Sequence, residues 1–213
     1  MTKEGLPDAN KRQTLRHVAA IGAVTPLFSM GTAAASEDGE DSDRRERIAH
    51  YVLSAPGSHF SKIRDDLSLG TGETQYHLDR LASESIIESR KDGDFRRYYA
   101  AHMFDSFEKR ALAALRRETP RSVILQLLAS PHDSPGTIAT KLDLSPAAIS
   151  KTARHLEEEQ LLTRTNGMYA IDDPEHLIVL LVRFGDSFDA DVHEFIQDVP
   201  SYIKWIQDET ESG

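Results

Sequence analysis

Between Arg44 and Leu53 the apolar residues Ile48, Val52 and Leu53 recur at helical spacing and stop before Pro56-Gly57, a pair that ends helices. A second short helix is predicted over roughly 60–67. After a Ser68-Leu69-Gly70 turn, a third presents Thr74, Leu78 and Leu81 on one stripe, the i, i+4, i+7 pattern of a face laid on a core. The period then changes. Ile86 to Arg90 and Phe95 to Ala100 read as strands flanking Lys91-Asp92-Gly93-Asp94, and Asp-Gly between strand-like runs is a strong hairpin signal. The same apolar skeleton returns 75 residues later without a gap, carrying Ile48 to Val123, Leu53 to Leu128, Ile63 to Ile138, Leu81 to Leu156 and Ile87 to Leu162. The second copy states its third helix more clearly, with Ser145 as N-cap and Pro146 at the first helical position. Its hairpin, Leu161 to Thr165, Asn166-Gly167 and Met168 to Ile171, is five residues shorter.

Three helices closed by a hairpin make a winged helix-turn-helix. The expected fold is therefore mainly α with small β-hairpin wings, an α+β chain of two such units in tandem plus C-terminal helices. The boundaries read as an N-terminal segment and acidic linker over 1–43, a first unit over 44–104, a second over 105–173 and a helical region over 174–213. In that last region Leu177, Leu180, Leu181, Phe184, Phe188, Val192, Phe195 and Ile196 keep helical spacing, and Tyr202, Ile203, Trp205 and Ile206 continue it. So many large side chains on a small domain point to a second copy of the chain, giving a homodimer through the C-terminal helices, with packing inside one chain as the alternative.

Helix 71–83 carries the candidate chemistry. With Leu78 pointing inward, 100° per residue turns Gly72, Glu73, Tyr76, Asp79, Arg80 and Ser83 outward, flanked by Gln75 and His77. A glycine, an exposed tyrosine and a glutamine near the helix start suit a surface that reads rather than one that only dissolves. In helix-turn-helix proteins the N-terminal part of this helix enters the major groove, where Gln pairs bidentately with adenine and Arg with guanine. The following ribbon, 90–99, holds Arg90, Lys91, Arg96 and Arg97 interleaved with aromatics, a pattern suited to phosphate contact. Candidate DNA-binding residues are Thr71, Gly72, Gln75, Tyr76, Arg80, Arg90, Lys91, Arg96 and Arg97. In the second copy Ser150, Lys151 and Arg154 fall where Gln75, Tyr76 and Asp79 fall in the first. The second ribbon is short and lacks the basic cluster of the first, and Glu157-Glu158-Glu159 closely follows Arg154, so the third helix of that copy reads equally as meeting DNA or as facing solvent or the other subunit.

These residues resemble a family. The stretch HFSKIRDDLSLGTGETQYHLDRLASESIIESRKDGDFRRYYA, followed by EKRALAALRRETPRSVILQLLASP, is similar to archaeal, especially haloarchaeal, tandem winged-helix transcriptional regulators, related in fold to the MarR and ArsR groups. The similarity covers roughly 44–173, and its most telling pieces are Tyr76-His77-Leu78 and Arg96-Arg97-Tyr98-Tyr99. It implies a DNA-binding regulator acting on double-stranded DNA in the cytoplasm, in some members held at a membrane by an N-terminal apolar segment. Ser85 departs from the pattern, standing where such proteins usually have Gly before the wing.

Composition sharpens the picture in three places. The chain has no cysteine, which excludes disulfides, thiolate zinc sites and Cys nucleophiles. Its formal charge of -10 opposes blanket attraction to phosphates, so any nucleic-acid surface is local. Lys11-Arg12 before the eighteen uncharged residues Val18 to Ala35 reads as an export signal, a membrane tether, a disordered tail or a start placed too far upstream. No HExxH, G-x-S-x-G, Walker loop or dinucleotide fingerprint occurs, so neither enzymatic activity nor a cofactor is expected. The expectation is a sequence-specific DNA-binding transcriptional regulator; the alternative is a winged-helix protein-interaction module that binds no DNA.

Overall fold

The structure, a computed structural model, describes residues 37–198. The apolar run at 18–35 and the aromatic stretch from Tyr202 to Ile206 lie outside them. Helix α1 spans Glu37–Ser54, so the acidic stretch read as a linker is helical and continuous with the first predicted helix. Acidic side chains suit the positive end of a helix dipole, and Glu40 pairs with Arg44 one turn on, at 3.1 Å.

A two-residue strand, β1 (Ser58–His59), leads into α2 (Phe60–Asp66), where the His59 side chain accepts the Lys62 N–H as a cap. Helix α3 occupies Thr71–Ser83, and the Glu73 carboxylate accepts the Gly70 N–H at its start, 3.1 Å. Strands β2 (Ile87–Asp92) and β3 (Phe95–Ala100) form the first hairpin, with β1 on the other edge of β3, all antiparallel. After α4 (Ser106–Leu115) the order helix, helix, helix, hairpin repeats as α5 (Glu118–Ala129), α6 (Pro135–Lys141), α7 (Pro146–Glu158), β4 (Leu162–Thr165) and β5 (Met168–Ile171). Helix α8 (Pro174–Phe184), a 3-10 turn at Gly185–Ser187 and helix α9 at 190–198 complete the described chain. The result is a mixed, mostly helical fold with small antiparallel sheets.

The 75-residue repeat extends to the backbone. Ser68 and Asp143, 75 apart, take φ of 55° and 51°, and Ser85 and Gln160, again 75 apart, take 57° and 54°. At the second hairpin Asn166 and Gly167 are both left-handed, at 52° and 82°, the requirement of a two-residue type I′ turn.

Two cores form. Ile48, Val52, Ile63, Leu78, Leu81, Ile87 and Tyr98 make the smaller. The larger gathers α4, α5, the interior faces of α6 and α7, and the C-terminal helices, and takes Tyr99. Adjacent residues of β3 thus enter different cores, because successive side chains of a strand point to opposite faces. The C-terminal stripe expected to pair with a second chain is satisfied within this one: Leu177, Leu180, Leu181, Phe184, Phe188, Val192 and Phe195 are all buried in the larger core. Packing them against α4 and α5 removes the apolar surface from water without a partner.

Candidate nucleic-acid interface

Helix α3 divides its circumference three ways. Thr74, Leu78 and Leu81 face the core as expected, and His77 is buried with them. A second stripe meets α1 through alternating charges. Arg44 Nε lies 2.8 Å from Glu73 Oε1, and Asp41 lies 3.6 Å from His77 Nε2 and 3.5 Å from Arg80 Nη1. Arg80 also donates to Glu84 at 3.1 Å and to the Tyr76 hydroxyl at 3.2 Å. The free arc is therefore rotated from the one predicted. Thr71, Gly72, Gln75, Tyr76, Asp79 and Ser83 are exposed, and Gln75 donates to Asp79 at 2.8 Å. Tyr76 is the most open large side chain of the helix, 53% exposed.

The first hairpin obeys the two-residue period of a strand, and this separates its cations. Lys91 and Arg96 are cross-strand partners on the face that also carries Ile87 and Tyr98 against the smaller core; both are exposed. Burial in that core, beside Leu78 and Leu81 of α3, raises the pKa of the Tyr98 hydroxyl.

Arg90 and Arg97 are partners on the opposite face. Arg97, expected as a phosphate ligand beside Arg96, is 1% exposed. It is ion-paired with buried Asp92 and donates to Gly57 O at 3.0 Å. A buried guanidinium held by a carboxylate and a carbonyl cannot also reach a phosphate, and a neighbour in a strand cannot share its face. Arg90 reaches Glu159 at the end of α7, 2.8 Å.

The residues missed in the sequence are those that receive this inner face. Arg117 Nη2 lies 2.8 Å from Asp92 Oδ1, Arg110 Nε donates to Glu159 O at 2.7 Å, and Lys109 pairs with Glu88 at 3.0 Å. Arg116 donates to Pro56 O at 3.0 Å and to Ser187 Oγ at 2.7 Å; burial lowers its pKa to about 10. The signal was period two: Glu88, Arg90, Asp92, Arg97 and Tyr99 share one face, and that face is charged because it meets a polar joint.

On α7 the exposed stripe is Ala147, Ser150, Lys151, Arg154 and Glu158. Arg164 of β4 is exposed with its guanidinium 5.7 Å from the Tyr169 ring. No carboxylate pairs with Lys151, Arg154 or Arg164 among the described residues.

Residues 42–112 match the family model described as an N-terminal HTH domain. That span runs from α1 through the first hairpin into α4. The chain is also similar to an uncharacterized HTH-type transcriptional regulator of Methanocaldococcus jannaschii, 30% identical over 115 residues, which cover 54% of this chain and 29% of that relative. Among the described residues no group of three or more His, Asp or Glu is placed to hold a metal ion, and no helix is long and apolar enough to cross a membrane.

Proposed function

We propose that the chain is a transcriptional regulator that binds double-stranded DNA through two tandem winged helix-turn-helix units, MarR- or ArsR-like in architecture, bounded near 44–104 and 105–173. Helix α3 is the reading helix of the first unit, with Gln75 and Tyr76 toward base edges and Thr71 and Gly72 at the groove entrance. Lys91 and Arg96 sit on the flanking phosphates. The observation that carries this reading is that the hairpin face bearing exposed Lys91 and Arg96 packs its Ile87 and Tyr98 with Leu78 and Leu81 of α3 in the smaller core, which supports the wing cations and the exposed arc of α3 acting together. The match to an HTH family over this same span supports it, as does a relative whose name is HTH-type transcriptional regulator. A homodimer, in this reading, uses surface other than the buried C-terminal stripe.

A protein-interaction module is favoured by one feature, Asp79 in the middle of the reading arc, where it repels a phosphate. Binding of the full chain to short duplexes selected from a randomised pool decides between the two. Replacing Lys91 and Arg96 together by Ala is expected to lower the slope of log affinity against log salt by about 1 to 2, since each phosphate contact contributes about 0.9. An unchanged slope removes the wing from the interface, and no selected duplex at all leaves the interaction module standing.

A further inference from the structure

The two third helices offer different chemistry at equivalent positions. Offset by 75, the free arc Gly72, Gln75, Tyr76, Asp79 and Ser83 of α3 becomes Ala147, Ser150, Lys151, Arg154 and Glu158 of α7. An amide and a phenol are replaced by a hydroxyl and a cation, and a carboxylate by a guanidinium. The cations of the first unit are largely engaged inside the chain. Arg80 is held by Glu84 and Asp41, Arg90 by Glu159, and Arg97 by Asp92, leaving Lys91 and Arg96. In the second unit Lys151, Arg154 and Arg164 are exposed and pair with no carboxylate among the described residues; the acid on the same stripe, Glu158, lies at its far end.

We infer that the second unit is the phosphate grip of the molecule, with Lys151, Arg154 and Arg164 on the duplex backbone, while α3 does the base reading. The inference rests on the duplex-binding reading above and adds a division of labour to it. Phosphate contacts fix register and supply affinity without sequence information, whereas base contacts discriminate. Three exposed cations with little competing charge suit the first task, and a glutamine and tyrosine beside a carboxylate suit the second. The two tasks serve one duplex because the units are tied: Arg90 of the first wing reaches Glu159 at the end of α7, and Arg117, just ahead of α5, holds Asp92 in the first wing. A grip and a reader joined so rigidly engage together.

The test measures binding of the full-length protein, across a salt series, to a duplex selected from a randomised pool and to an unrelated duplex. The variant K151A/R154A/R164A, whose three changes are exposed truncations, is expected to weaken binding to both duplexes alike and to lower the salt slope by about 2 to 3. The variant Q75A/Y76A is expected to reduce the ratio between the two duplexes and keep the slope. A triple variant with the parental slope, or with a lost ratio and a parental slope, overturns the grip while the reading helix stands. If the unaltered protein prefers no duplex over another, the base-reading role falls with it; if it binds none, grip and reader fall together. Thermal melting of both variants at the parental temperature establishes that the differences come from contacts rather than from folding.

Discussion

Asp92 is the residue on which the first wing is organised. It is 7% exposed and receives two guanidinium groups, from Arg97 and Arg117. Removing one member of a buried ion pair leaves the others desolvated and unpaired, so Asp92→Asn is expected to destabilise the fold by about 3 kcal/mol. Urea unfolding measures this, and a loss near zero would mean the cluster is solvated. Ser85 is the converse case. Its φ of 57° lies where a Cβ crowds the backbone, and the resemblance to archaeal regulators with glycine at this position has that physical basis. Ser85→Gly is expected to raise stability by up to about 1 kcal/mol, the lower end of what a left-handed L-residue costs, read as a shift of the same urea midpoint.

Between elements, the helix starts are where charge does structural work. His176 near the start of α8 stacks on Phe107 with ring centroids 4.8 Å apart and lies 3.4 Å from Glu108 and 3.6 Å from Asp173. Glu108 caps α4 by accepting the Asp105 N–H, 2.9 Å. The hydrogen bond to Glu108 raises the His176 pKa above 6.5. Burial works to raise Glu108, but the bonds from His176 and the Asp105 backbone together with the charges of His176 and Arg183 outweigh it and hold that carboxyl below 4.5. The raised histidine contributes stability that is complete below its unfolded value and is lost as pH rises through the higher folded value. The lowered glutamate contributes stability that is complete above its unfolded value and is lost as pH falls through the lower folded one. The α4–α8 contact is therefore strongest between about pH 5 and 6. Against His176→Gln, the native protein is expected to show an extra fall in stability on the alkaline side of that window; parallel pH profiles for the two proteins would contradict it.

Most of the elements were legible because the apolar skeleton was stated twice, and a pattern repeated at 75 residues with Pro, Gly and Asn-Gly at the breaks leaves few other folds. Helix α3 runs over the residues predicted, and both hairpins turn at the expected Gly93 and Asn166-Gly167. The start of α1 was not legible. Its acidic turn has no apolar period, and it becomes helical through the ion pairs Glu40–Arg44 and Arg44–Glu73, which depend on α3 being in place. That one omission displaced the reading arc, since a helix wheel cannot know that His77 will be buried and that Glu73 and Arg80 will be drawn into ion pairs with α1. Telling pieces of the resemblance have the same character: His77, Leu78, Arg97, Tyr98 and Tyr99 are buried, so they report the scaffold more than the surface.

At the scale of the molecule, the joint between the two cores is polar and dense. Arg116 and Arg117, consecutive between α4 and α5, reach Pro56 O and Ser187 on one side and Asp92 on the other. Arg121 holds Asp189 and Asp191 at the start of α9, at 2.6 and 2.8 Å. Such contacts are expected to make the two cores melt as one cooperative unit. The pair R117A/E159Q severs two of the ties, and calorimetry is expected to resolve its single transition into two. One unsplit transition would assign the coupling to the shared apolar contacts of β3 instead.

Strand β3 thus behaves as a two-sided key whose teeth cannot be shifted. Inserting or deleting a single residue within 95–100 would exchange Tyr98 with Tyr99 and turn Arg97 outward in place of Arg96. Length changes should consequently be lethal to folding there, yet tolerated at the Asn166-Gly167 tip, where no second core waits on the far side.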